Sequence, residues 1–145
     1  MKRFIKSLSA NDVGSTGAHM AGILVPKSDG ELLAFLPQLD PKQLNPSAWI
    51  DCVAPDGTEL RLRFVYYNNR HHTPGGTRNE YRITHLTGFL RDAGAKEGEL
   101  FEISREEGSS TYQIRVINDH LENAISVDTE GPVRIKLTSG WARMH

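Results

Sequence analysis

Ser47-Ala48-Trp49-Ile50-Asp51-Cys52-Val53-Ala54, then Pro55-Asp56-Gly57-Thr58, then Leu60-Arg61-Leu62-Arg63-Phe64-Val65 is the stretch that decides the fold class. Leu60, Leu62 and Phe64 alternate with Arg61, Arg63 and Val65. That period of two puts one set of side chains on each face of a strand. Pro55 presets φ and Gly57 accepts positive φ, so the tetrapeptide between the two runs is turn chemistry. The whole predicts a hairpin. The pattern recurs outward from it. Residues 99–104 and 112–116 form a second strand pair around Glu107-Gly108-Ser109-Ser110. Val133 to Leu137 is a last strand candidate, and Phe4 to Leu8 and His19 to Val25 are candidates near the N-terminus. Helix signals are short. Asp29 caps a helix over Glu31 to Leu36 that Pro37 and Pro41 stop. Thr87 caps another through Phe89, Leu90 and Arg91, ending near Gly94. The reading is a mainly β (α+β) chain, one domain over residues 1–145, with a closed or half-closed barrel and two short helices.

Composition narrows the class. The chain has 145 residues, 38% apolar and 24% charged, which suits one soluble domain with its own core. No apolar run approaches the roughly eighteen residues a transmembrane helix needs, so no membrane partner is expected. The N-terminus Met1-Lys2-Arg3-Phe4-Ile5-Lys6 is basic but lacks a following apolar segment, which argues against a secretory signal and for a cytoplasmic location. Cys52 is the only cysteine, which excludes an internal disulfide and a multi-cysteine zinc site. The net charge of −1 hides an asymmetry. Residues 61–91 hold six arginines (Arg61, Arg63, Arg70, Arg78, Arg82, Arg91) against Glu80 alone, whereas residues 92–130 hold ten acids against Lys96, Arg105 and Arg115. Such a chain either presents one strongly positive face on a neutral body or mixes its charges on folding.

Two polar segments stand apart from the strand pattern: Ser9 to Ala18, and Asn68 to Glu80. Loops this long in a compact domain are functional sites or ordinary surface connections. Catalysis finds little support in them. Pro55-Asp56, Glu59 and Arg61 only superficially resemble a nuclease metal site, since the spacing is short and the segment serves as a turn. His71, His72 and His85 lack further ligands, and neither a phosphate-binding glycine loop nor a nucleophile elbow occurs. We assign no catalytic residue and no metal site. DNA chemistry fits better. Arginine forks suit guanine, Asn suits adenine and a carboxylate accepts from cytosine N4. Thr77-Arg78-Asn79-Glu80-Tyr81-Arg82 carries all three types, and Asn11 with Asp12 repeats the logic. Glu80 either accepts from a cytosine or holds an arginine in an ion pair, and it can do both. Gly14, Ser15, Thr16 and Gly17 allow close backbone approach to DNA.

These residues carry a family resemblance. Residues 5–19 (Ile5-Lys6-Ser7-Leu8-Ser9-Ala10-Asn11-Asp12-Val13-Gly14-Ser15-Thr16-Gly17-Ala18-His19), Leu44-Asn45-Pro46-Ser47, and Tyr66-Tyr67-Asn68-Asn69-Arg70-His71 leading into Thr77-Arg78-Asn79-Glu80-Tyr81-Arg82-Ile83-Thr84 resemble, in order, the N-terminal DNA-recognition (effector) domain of EcoRII/UbaLAI-like restriction endonucleases. The chain departs from the family pattern at Gly76 and Tyr81, where lysines are usual, and at Leu24, where a tyrosine is usual. The resemblance implies a B3-like DNA-binding pseudobarrel of about seven strands with two short helices. It implies two arms that grip the major groove of double-stranded DNA at CC(A/T)GG or a related G/C-rich site. It implies a non-catalytic module that needs no cofactor, with Mg2+ expected only for a separate C-terminal nuclease domain of a type II restriction enzyme. Asn11, Asp12, His19, Arg78, Asn79, Glu80 and Arg82 are the expected base contacts. Lys2, Lys6, Ser9, Ser15, Thr16, Asn68, Asn69, Arg70, Thr77 and Tyr81 are expected to touch the DNA backbone or support the arms. The competing readings are a protein-interaction β-barrel and a metal-dependent nuclease.

Overall fold

The computed structural model describes residues 1–14, 22–118 and 140–144. Among them are eight strands: β1 (Lys2–Ser7), β2 (Ile23–Val25), β3 (Ser47–Val53), β4 (Glu59–Tyr67), β5 (Glu80–Thr84), β6 (Leu100–Arg105), β7 (Tyr112–Ile117) and β8 (Trp141–Met144). Three short helices accompany them: α1 (Gly30–Phe35), α2 (Asn69–His72) and α3 (Thr87–Asp92). The expected hairpin is β3–β4, with Ser47 opposite Val65 and Val53 opposite Glu59. Ala54 N–H donates to Thr58 O across the turn (2.8 Å), and the Asp56 carboxylate accepts from Thr58 N–H (2.9 Å). The period of two holds: Ile50, Cys52, Leu62 and Phe64 are buried, while Trp49, Asp51 and Arg61 lie exposed on the other face. Burial pushes the Cys52 thiol up to about 12, with the Asp51 charge adding to the rise. It is a core thiol, not a thiolate nucleophile.

The strands form one sheet in the order β2-β5-β4-β3-β7-β6-β1-β8. It curls until its edge strands nearly meet. The Trp141 indole of β8 donates to Leu24 O of β2 (2.8 Å), tying one edge to the other. The residues near the C-terminus therefore help to complete the half-barrel: β8 pairs with β1, with Trp141 opposite Lys6. Helix α1 packs into the core. Asp29 caps it as expected, accepting from Leu32 N–H (3.1 Å). Phe35 meets Phe4 and Tyr112 at ring centroids of 4.8 and 5.1 Å, and the Tyr112 hydroxyl donates to Phe35 O (2.6 Å).

The sequence reading needs four adjustments. Eight strands and three helices among the described residues exceed the seven and two expected. Strands β5 and β8 escape the sequence reading, and α2 lies in the segment that reads as a polar loop, which ends where β5 begins; the charged alternation of Glu80 to Thr84 still satisfies a ladder with β4, and β8 pairs with β1. Leu86, not Thr87, is the N-cap of α3, and no side chain caps it. The candidate strand at His19 to Val25 shortens to β2, residues 19–21 and the candidate at Val133 to Leu137 lying outside the described residues.

Candidate nucleic-acid interface

Two connections leave the sheet close together. One joins β1 to β2, and its described parts are residues 8–14 and Gly22; the other joins β4 to β5 through residues 68–79. We call them the N-terminal and C-terminal arms. The C-terminal arm closes on itself. Asn69 Oδ1 accepts from Arg78 N–H (2.8 Å), and Arg70 N–H donates to Arg78 O (3.0 Å). Gly76 fits against this closure: a Cβ there would fall 2.3 Å from Asn69 O. The arm thus excludes any side chain at a position where relatives were expected to carry lysine.

Past the arm, residues alternate along β5 by the strand period. Arg78, Glu80 and Arg82 fall on the face away from the core. Glu80 stands between the two arginines, with Arg78 Nε 3.5 Å from Oε1 and Arg82 Nε hydrogen-bonded to Oε2. The Arg78 guanidinium lies over the Tyr67 ring, 3.8 Å from its centroid. Arg82 Nη1 donates to Gly22 O (2.9 Å), so one arginine joins the strand of one arm to the root of the other. Partial burial raises the Glu80 carboxyl, but the Arg82 hydrogen bond and the charges of Arg82 and Arg78 outweigh it and hold the carboxyl below its ordinary range. Glu80 is therefore an anion that only accepts.

Asn79 and Tyr81 take the opposite face. The Tyr66 hydroxyl donates to Asn79 Oδ1 (2.6 Å), and Tyr81 stacks on Tyr66 at 4.3 Å and on Phe64 at 5.6 Å. The structure thus sets Asn79 apart from the arginines it neighbours in sequence, with its carbonyl already engaged.

Several residues expected to touch DNA or to support the arms are turned inward. Asn68 is fully buried: Oδ1 accepts from Asn45 N–H (2.7 Å), Nδ2 donates to Gln43 O (2.8 Å) and Pro41 O (3.2 Å), and its own N–H donates to Asn45 Oδ1 (3.1 Å). It is a strut between the arm and the 41–45 loop rather than a surface donor. Asn68→Ala should lower the unfolding free energy by about 2–3 kcal/mol, because several buried polar groups lose their partners. Urea denaturation checks this, and a loss below about 0.5 kcal/mol would refute the strut. Lys6 and Asp12 are buried against each other, Nζ to Oδ2 being 2.8 Å. Ser9 N–H donates to the same Asp12 oxygen (3.0 Å), and Ser9 Oγ accepts from Asp12 N–H (3.1 Å). Lys2 lies at the far end of β1, some 16 Å along the strand from the arm at about 3.3 Å per residue. Asn11, Arg70 and Thr77 are exposed, whereas Ser15, Thr16 and His19 lie outside the described residues.

Of the six arginines between residues 61 and 91, four face a carboxylate. Arg61 faces Asp51, Arg78 and Arg82 face Glu80, and Arg91 faces Asp92. Arg63 and Arg70 have none among the described residues. Tyr67, Gly22 and Arg63 escaped the sequence reading as site residues. Continuing the period of two from Phe64 to Tyr67 would have placed Tyr67 with Arg63 on the charged face. No set of three His, Cys, Asp or Glu side chains able to hold a metal ion occurs among the described residues, and no helix among them is long and apolar enough to cross a membrane.

Comparison with known proteins places this arrangement in a family. The family model "Restriction endonuclease EcoRII, N-terminal" matches residues 1–129. The type II restriction enzyme EcoRII of Escherichia coli is 42% identical over 84 residues, which are 56% of this chain and 20% of that enzyme, so the match spans about a fifth of the relative's length. Among solved structures, a chain of the Arabidopsis FUS3-DNA complex superposes with a TM-score of 0.59 at 21% identity, over 81% of this chain and 98% of that one. The N-terminal domain of Helicobacter pylori LlaJI.R1 gives 0.54 at 9% identity, over 100% and 98%. At these identities the likeness concerns the fold, the B3-like pseudobarrel.

Proposed function

The chain belongs to the EcoRII N-terminal domain family, and from that membership we propose that it is a sequence-specific double-stranded DNA-binding module, reading CC(A/T)GG or a related G/C-rich site through the major groove. The observation that carries the reading is the Arg78–Glu80–Arg82 triad, presented away from the core between two arms. Its chemistry matches a G·C pair. Glu80 occupies the Nε atoms of both arginines, which leaves both terminal nitrogens of Arg78 for the O6 and N7 of guanine. The same carboxylate can accept from cytosine N4. Arg82 has spent Nη1 on Gly22 O, so it reads with less freedom and aligns the arms as well. Asn11, Thr77 and Arg70 are exposed where they can reach bases or phosphate, and His19, Ser15 and Thr16 belong to the same arm as Asn11. Asn79 and Tyr81 support from behind; Lys6, Asp12, Ser9, Asn68 and Asn69 hold the arms in shape.

In this reading the module itself does not cut. It serves a type II restriction enzyme whose separate nuclease domain would use Mg2+, and it acts in the prokaryotic cytoplasm. The test is fluorescence anisotropy with a CC(A/T)GG duplex and a scrambled one at physiological salt. Wild type should prefer the first. Arg78→Ala should reduce that preference by about 10- to 100-fold, the equivalent of about 1–3 kcal/mol for one bidentate pair, and leave the scrambled duplex nearly unaffected. Equal affinity of the wild type for both duplexes would sink the sequence-reading role. Cleavage of plasmid by this chain with Mg2+ would sink the non-catalytic one.

A further inference from the structure

We propose that Trp49, Arg63 and His85, on the outer face of β3–β4 and the turn after β5, form a contact for the DNA sugar–phosphate backbone flanking the bases that the arms read. This rests on the DNA-binding reading above.

Arg63 stands opposite Trp49 in the β3–β4 ladder and opposite Thr84 in the β4–β5 ladder. It is one of only two arginines between residues 61 and 91 without a carboxylate partner among the described residues. Asp51, the acid nearest to it in the ladder on that face, is held by Arg61 (2.9 Å). Beside Arg63, the Trp49 ring is 52% exposed, an unusual position for a large aromatic on a strand. Its indole N–H has no hydrogen bond among the described residues. The ring meets His85 edge-on at 5.1 Å. His85 is held at φ 71, a left-handed conformation that a non-glycine residue adopts at some cost. Its Nδ1 lies 2.9 Å from Thr84 Oγ1.

The patch is continuous with the reading edge. Arg63, Tyr67, Arg78, Thr84 and His85 line one depression with Asp12 that also reaches Gly22 at the root of the N-terminal arm, and Trp49 borders it through His85. What the patch offers is an unpaired guanidinium and an indole N–H on a flat aromatic surface; the carboxylate that reaches the same depression, Asp12, is buried and already held by Lys6. A phosphodiester backbone supplies acceptors and negative charge, and the rim of a base-reading site is where it must run. A protein partner would need apolar area beyond one indole, and the neighbours of Trp49 on this face are Ser47, Asp51 and Arg63.

The experiment uses the whole chain, with folding of each variant confirmed by circular dichroism. One duplex is trimmed to the site and another is extended by a helical turn on each side, each also in a scrambled version. Arg63→Ala should weaken binding to the extended duplex by roughly tenfold and lower the salt slope by about 0.9, as loss of one phosphate contact requires. The loss should be equal for the scrambled sequence and smaller for the trimmed duplex. Tryptophan emission of the wild type should be quenched by the extended duplex and should lose that response in Trp49→Phe, because Trp141 is only 4% exposed in the core. If Arg63→Ala and Trp49→Phe bind every duplex as wild type does, with no quenching, while Arg78→Ala loses discrimination, the backbone contact is overturned and the base-reading function stands. A wild-type chain that binds no duplex overturns both.

Discussion

Arg82→Ala is expected to abolish most discrimination between CC(A/T)GG and a scrambled duplex, a loss of roughly 2–4 kcal/mol in specific binding. Two causes act together. The first is direct: a guanidinium that faces a guanine contributes about 1–3 kcal/mol of discrimination. The second is mechanical. Arg82 Nη1 donates to Gly22 O (2.9 Å), and its Nε is bonded to Glu80, so one side chain spans the root of the N-terminal arm and the end of the C-terminal one. Gly22 presses against the same strand; with φ at 91, a Cβ there would sit 2.3 Å from Ile83 O. Removing Arg82 loosens this joint and also leaves Glu80 with Arg78 alone. Arg82→Lys should not rescue the effect, because an ammonium presents its donors from one nitrogen and cannot lay a planar fork on guanine while it holds Glu80 and Gly22 O. Anisotropy on both duplexes reads the outcome. Unchanged preference for the specific duplex would remove Arg82 from the reading set. The pH behaviour has a definite sign. Glu80 titrates below its ordinary range, so the stability it adds is present above the unfolded carboxylate pKa and is lost only as the pH falls through the lower, folded value. Near neutral pH the triad stays charged.

The hairpin at Ser47 to Tyr67 was legible because its apolar alternation and its Pro-Asp-Gly turn point the same way. β5 was not, for an instructive reason. Its alternation is charged on one face and aromatic or aliphatic on the other, and only Ile83 is fully buried. The density of arginine and glutamate that marked residues 77–82 as a site also kept Glu80 to Thr84 from being read as a strand. Recognising the strand separates Asn79 and Tyr81 from Arg78, Glu80 and Arg82 at once. α2 carries too few residues for any periodicity to show, and its turn is set by the closure of Asn69 and Arg70 on Arg78. Among the described residues, part of the arginine charge is answered locally. Arg61, Arg78, Arg82 and Arg91 meet carboxylates, while Glu102 in the acidic stretch takes Arg115 (2.8 Å). Arg63 and Arg70 are left without a carboxylate among the described residues, and a reader so equipped depends on geometry more than on bulk attraction.

Asp12→Ala is expected to destabilise the chain by about 3–5 kcal/mol, the largest stability effect we anticipate from a polar residue. Lys6 and Asp12 are six residues apart, and their side chains are 9% and 8% exposed. Nothing in the local pattern announces the pairing, since it depends on the chain turning back after β1. Once it has turned, Lys6 Nζ is held by Asp12 (2.8 Å) and Ser7 O (2.9 Å), while Asp12 also bonds Ser9. Removing the carboxylate leaves an ammonium buried with one carbonyl, beside Trp141 and Phe101 in the ladders. The cost is that stranded charge rather than the worth of the pair, and a second variant separates the two. Lys6→Met combined with Asp12→Leu should recover most of the loss, because apolar side chains of similar size replace a buried pair at little cost. Urea denaturation of Lys6→Met, Asp12→Leu and the double variant gives the coupling. A loss below about 1 kcal/mol for Asp12→Ala would mean that water reaches the pair. DNA binding adds a second criterion. If Asp12 holds the arm, the stabilised double variant should lose affinity for specific and scrambled duplexes alike. If instead it reads a base, only the specific duplex should suffer.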